Sequence, residues 1–210
     1  MILQRAESLL DTNNFLINSR KIILASQSKR RIELINLLGF KDIVYKNHKV
    51  DEEDFKWRKP YSKSVLDLSE LKARSIKTTN NENSVVIAGD TMVIRAGKIF
   101  HKTSSLSKIK SYLQTLSGRK HFVLGGICVI APNGNISKRV VKTEVFFKKI
   151  GKKDLHDQYL LEEGRNKAGG YAIQGYASCL VSKIKGSYSN VVGLSIYHLL
   201  LMLKGLGWSR

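Results

Sequence analysis

Residues 85–94, Val-Val-Ile-Ala-Gly-Asp-Thr-Met-Val-Ile, constrain this chain more than any other stretch. The apolar run reads as a fully buried strand, so the fold must place a sheet at its centre rather than at its surface. Asp90 interrupts that run. A buried carboxylate without a partner is unfavourable, so Asp90 needs a metal ion or a water awaiting deprotonation beside it.

The flanking segments supply layers for such a sheet. Residues 22–25 are a short β-prone run, followed by a polar turn and a helical pattern with Ile32, Leu34, Ile35, Leu37 and Leu38 ahead of Gly39. Residues 43–54 alternate briefly and end in an acidic cluster, after which Pro60 and Ser62 open a helix whose apolar face is Val65, Leu68, Leu71 and Ile76. Ser105 is placed to cap a helix that Gly118 stops. Residues 121–130 and 140–147 form a hairpin about the turn 132–135. A helix over 154–163, strand and loop over 168–181 lining a cleft, and a final helix over 191–203 complete the pattern. The expectation is an α/β fold: a single domain, residues 21–205, with a central mixed sheet flanked by helices. Residues 1–20 read as an N-terminal extension without the pattern of a secretory signal.

Composition removes several classes. Hydrophobic residues make up 42% of the 210 and only two are Pro, which disfavours disorder and fibrous structure. The apolar stretch near the C-terminus falls short of the roughly 20 residues of a membrane span. Cys128 and Cys179 lie apart in apolar surroundings and read as small buried hydrophobes, consistent with a reducing cytoplasm. The net charge of +19 implies attraction to polyanions without choosing among nucleotides, nucleic acid and anionic surfaces. The cations are spread along the chain and form no basic, aromatic-interleaved motif, so nucleic-acid binding is expected only as a non-specific property of the surface.

Ser26-Gln27-Ser28-Lys29-Arg30-Arg31 lies between a strand and a helix, where free backbone N–H groups and the positive helix end favour an anion. Cations there oppose the helix dipole and lack a local stabilising reason, so a triphosphate cradle is the better reading. Glu52 could share a metal with Asp90, since Mg²⁺ takes one or two carboxylates plus phosphate oxygens. Taken alone, Glu52 reads better as part of an exposed acidic loop. Lys72 and Lys102 could each reach a phosphate as a point charge, or be ordinary solvated lysines. Ser28 beside the arginines, and His121, form no nucleophile elbow with an acidic orienting partner, so a serine hydrolase is rejected.

Six blocks together carry a resemblance: Leu24 through Arg31, Val50-Asp51-Glu52, Leu71-Lys72-Ala73, Ala88-Gly89-Asp90-Thr91, Leu116-Ser117-Gly118 and Lys167 through Gly175, closed by Ile184 through Leu194. In order and spacing they are similar to the Maf nucleotide pyrophosphatases. That resemblance implies two lobes around a nucleotide cleft, an inosine triphosphatase-like fold, frequent homodimers, and divalent-metal-dependent (Mg or Mn) attack of water that releases pyrophosphate. It implies catalytic roles for Asp90 as base, Glu52 and Lys72, a metal on Glu52 and Asp90, and substrate contacts from Ser28, Arg30, Arg31, Thr91, Lys102 and Gln174. Arg30, Thr91 and Gln174 match the branch that prefers dTTP and UTP. A Gln amide offers the donors and acceptor that a pyrimidine edge needs. Lys29, Thr103 and Ser195 stand where the family pattern has Pro. The alternatives are a housecleaning enzyme for modified bases and a non-catalytic regulator of cell division that binds nucleotides or nucleic acid.

Overall fold

The computed structural model describes residues 21–76 and 83–208; the expected extension, 1–20, lies outside them. Among the described residues seven strands form one sheet: β1 (Lys21–Ala25), β2 (Ile43–Lys46), β3 (Ser84–Arg95), β4 (Lys98–Phe100), β5 (Lys120–Ile130), β6 (Ile136–Phe147) and β7 (Val181–Lys185). The order is β2-β1-β3-β5-β6-β7, with β4 beside β3. β1 is parallel to both β2 and β3, and the remaining pairs are antiparallel. The sheet is mixed and flanked by helices, as the segment pattern requires. Among the described residues no helix is long and apolar enough to cross a membrane.

Among the described residues six α-helices cover it: α1 (Lys29–Asn36), α2 (Tyr61–Arg74), α3 (Leu106–Leu116), α4 (Gln158–Glu163), α5 (Tyr188–Val192) and α6 (Ile196–Gly205). The Ser105 side chain caps α3 by accepting from the Lys108 N–H. The large core takes Ile22, Leu24, Val85 and Ile87 from the strands with Ile109, Leu113 and Leu199 from the helices. A smaller one holds Ile23, Val86 and Ala88. Successive β3 residues therefore bury on opposite faces, which explains why that strand does not alternate in hydropathy.

Five expectations fail for physical reasons. The helix over 154–163 is broken at Asp157, whose carboxylate accepts from Leu160 N–H and starts α4 afresh. The C-terminal helix is two helices, α5 and α6, parted at Gly193, whose φ of 150° no L side chain adopts readily. Residues 168–180 form tight single turns, Ala168–Gly170 and Tyr176–Leu180, with strand only from Val181. Leu71 is 46% exposed, because the buried face of α2 runs through Val65, Leu68 and Lys72 instead. Cys179 is exposed, whereas Cys128 is buried as expected.

Candidate active site

β3 has a neighbour on one edge only at its two ends. β1 pairs with residues 84–87 and β4 with residues 93–95, leaving 88–92 open between them. Asp90 and Thr91 lie in that opening, beyond the carboxyl end of β1, where open α/β sheets commonly bind ligands. On the other edge they face Gly126 and Gly125 of β5. A Cβ on Gly126 would lie 2.3 Å from the Val65 carbonyl oxygen and 2.5 Å from Ser69 Oγ. The absence of a side chain lets α2 press onto the sheet opposite Asp90.

That approach carries Lys72 onto the carboxylates. Its side chain is fully buried, and Nζ donates to Glu52 Oε1 and Asp90 Oδ1, each at 2.6 Å. Glu52 Oε2 accepts from Lys102 Nζ at 2.7 Å. Burial, the strongest single influence on Glu52, opposes its ionisation, but Lys72 and Lys102 more than offset it and hold its carboxyl down to about 2. His48 Nε2 lies 3.5 Å from Glu52 Oε1, and its ring is held below the usual imidazole value by burial and by Lys72. No pattern around His48 marks it in the sequence; only the fold brings it to the carboxylate.

Arg31 occupies a different setting. It is 7% exposed; Nε donates to the Gly193 carbonyl at 2.9 Å, Nη2 to Thr91 Oγ1 at 3.2 Å and Nη1 to Ser26 Oγ at 3.5 Å. Thr91 Oγ1 also donates to the Gly193 carbonyl. The break between α5 and α6 thus supplies the acceptor that fixes both side chains. Arg30 is half-buried beside Arg31 and is pulled below the ordinary guanidinium value by burial first and by Arg31 second. Among the described residues, no carboxylate oxygen lies within 4 Å of either guanidinium. Ser28, at the start of α1, makes no capping bond with its side chain.

These groups line two adjoining cavities. One, about 710 Å³, holds Asp90, Glu52 and Lys102 with an apolar and aromatic wall that includes Phe55, Trp57, Met92 and His101. The other, about 210 Å³, holds Ser28, Arg30, Arg31 and Tyr171. Thr91, Lys102, Asn166 and Ala168 border both, making one cleft with an aromatic end, a carboxylate–lysine centre and an arginine end. Asp90, Glu52, Lys72, Ser28, Arg30, Arg31, Thr91 and Lys102 are therefore brought together. Gln174 is not: it is exposed on the turn 173–175 and borders neither cavity. The turn carries it outward because Ile173 and Ala177 take the buried positions on either side. Trp57, Phe55 and His48 are contributors that no motif announced.

Fold and site together define an α/β protein with a cleft that joins a carboxylate–lysine centre to a cationic end suited to an anion. The chain belongs to the family of Maf-like proteins, whose model matches residues 21–206. A dTTP/UTP pyrophosphatase of Mesorhizobium japonicum is 37% identical over 193 residues, covering 90% of this chain and 93% of the relative. One from Paramagnetospirillum magneticum is 37% identical over 188 residues, covering 90% and 98%. One from Chelativorans is 38% identical over 192 residues, covering 90% and 92%. Among solved structures, a HAM1 protein from Coxiella burnetii overlaps 63% of this chain and 75% of its own at a TM-score of 0.41 and 15% identity.

Proposed function

We propose that the chain is a cytoplasmic nucleoside triphosphate pyrophosphatase that hydrolyses dTTP and UTP to the monophosphate and pyrophosphate. The observation that carries this reading is the buried Lys72 bridging Asp90 and Glu52 at the wall of a cleft whose other end holds two arginines without carboxylate partners. The relatives' names agree with it.

In this reading Asp90 takes a proton from the water that attacks the anhydride between the α and β phosphates, and pyrophosphate leaves with the bond pair. Lys72 fixes the orientation of Asp90 and Glu52 through its two short hydrogen bonds. Arg30, Arg31 and Lys102 meet the charge on the phosphates, and Ser28 with the start of α1 adds neutral donors. Glu52 and Asp90 form a hard-oxygen donor pair, and no group of three or more His, Cys, Asp or Glu among the described residues would hold a metal by itself. Such a pair suits Mg²⁺ or Mn²⁺ completed by phosphate oxygens, and the cation would neutralise phosphate charge when bound. An intact carboxylate–lysine centre favours an enzyme over a non-catalytic regulator. A homodimer is proposed from the resemblance alone.

The test is a panel of nucleotides with detection of phosphate and pyrophosphate. dTTP and UTP should be hydrolysed fastest, with pyrophosphate as the second product; equal rates for dATP, dGTP and 7-methyl-GTP would overturn the base preference. The same panel run on Gln174→Glu tests the base-reading role. Pyrimidine kcat/KM should fall by about 1–3 kcal/mol if the turn 173–175 closes on the base.

A further inference from the structure

We propose that the outer face of β5, β6 and β7 is a binding surface for single-stranded nucleic acid, separate from the nucleotide cleft. The pairing Lys120↔Phe146, Phe122↔Glu144, Leu124↔Lys142, Glu144↔Lys185 and Phe146↔Lys183 puts two phenylalanines and four lysines on one face of three adjacent strands. The lysines are exposed and both rings are half-buried. The same face carries Gly126, on which α2 packs, and towards Phe122 it emerges from under that helix. A basic surface interleaved with aromatic rings is therefore present in three dimensions, although no contiguous stretch of sequence contains it.

The lysine ammonium groups already gather over the rings: Lys142 Nζ is 4.1 Å from the Phe122 centroid, Lys120 Nζ 5.2 Å from the same ring, and Lys183 Nζ 5.9 Å from that of Phe146. Exposed contacts of this kind are weak, and an ammonium exchanges them readily for a phosphate. The carboxylate on the patch is Glu144, which lies 3.4 Å from Lys120 Nζ and leaves a positive excess. Phe122 and Phe146 are diagonal neighbours on adjacent strands, about 7–8 Å apart by strand geometry, a separation that accepts two successive bases splayed one to each ring. A duplex hides its bases and cannot use the rings. Stacking and charge recognise backbone and base faces, so binding should be tolerant of sequence. The chain's +19 charge would add a background attraction on every side, and the rings are what distinguish this face.

The test is fluorescence anisotropy with a labelled oligodeoxyadenylate of about 12 nucleotides. Phe122→Leu with Phe146→Leu keeps apolar bulk and removes the rings. Affinity should fall at least about tenfold, the order expected for losing stacked bases, while the slope of log K against log salt stays the same. Lys142→Gln with Lys183→Gln, both exposed, should leave the melting temperature unchanged and reduce that slope by about 1.4. Parental affinity in the Phe double variant, or duplex DNA bound as tightly as the single strand, would overturn the proposal. So would conversion of a dimer to a monomer by these variants, which would make the face a self-association surface.

Discussion

At the centre of the cleft Lys72 lies 2.6 Å from each of two carboxylates, whereas at its arginine end Arg31 donates only to neutral oxygens and Arg30 beside it makes no ion pair. The first region is electrostatically closed: each charge is answered within the protein, and the geometry is fixed before any ligand arrives. The second is left open: burial disfavours the charge of Arg30, and no carboxylate among the described residues makes an ion pair with either guanidinium. Closed charge is suited to positioning reacting groups, and open charge to drawing in an anion that the protein does not itself provide. The two should therefore respond oppositely to mutation.

The largest expected effect on stability is in the closed region. Lys72→Met leaves Asp90 buried beside Glu52 without its cation and should destabilise by about 3–5 kcal/mol in urea denaturation. Adding Asp90→Asn should recover part of that loss, because the uncompensated buried charge is then gone. A Lys72→Met protein as stable as the parent would mean that the centre is not a coupled unit.

In the open region the expected effect moves to binding. Arg30→Ala should leave the melting temperature unchanged or slightly raised, since a partly desolvated, unpaired cation is lost. KM for the triphosphate should rise about 10-fold or more, as for loss of a charge-assisted hydrogen bond. A fall in stability without a change in KM would place Arg30 with the structural groups and dissolve the contrast.

How much of this contrast the sequence reveals depends on how locally each part is encoded. The loop from Ser26 to Arg31 is legible because strand, turn, cations and helix start follow one another directly, and Asp90 stands out against its own strand. Lys72 is legible only as a lysine on a helix. Its burial depends on Gly126, 54 residues away in sequence (126 less 72), where the missing Cβ admits α2. The helical period instead favours Leu71, which lies exposed. The Gly193 carbonyl that pins Arg31 and Thr91 is hidden for a similar reason: an apolar run masks the helix break. Gln174 shows the reverse case, a residue marked by its motif that the turn 173–175 holds at the surface.

The smallest effect is on pH dependence. Glu52 titrates at about 2 in the fold against an ordinary 4.5, so its pairing with Lys72 and Lys102 stabilises fully above about pH 4.5 and is lost as pH falls toward 2. The melting-temperature difference between the parent and Glu52→Gln should be greatest above that range and shrink through it. A difference independent of pH would show that the carboxylate charge contributes nothing to the closed centre.

The central claim, that the closed centre performs the chemistry while the open end binds, is tested most directly by single-turnover hydrolysis of dTTP by Asp90→Asn. The substitution keeps the side-chain shape and removes its basicity. The rate of pyrophosphate release should fall about 10²–10⁴-fold, the usual contribution of a positioned base, with the Kd for dTTP and the fold preserved. Release of pyrophosphate at the parental rate from a fully folded Asp90→Asn protein would contradict it.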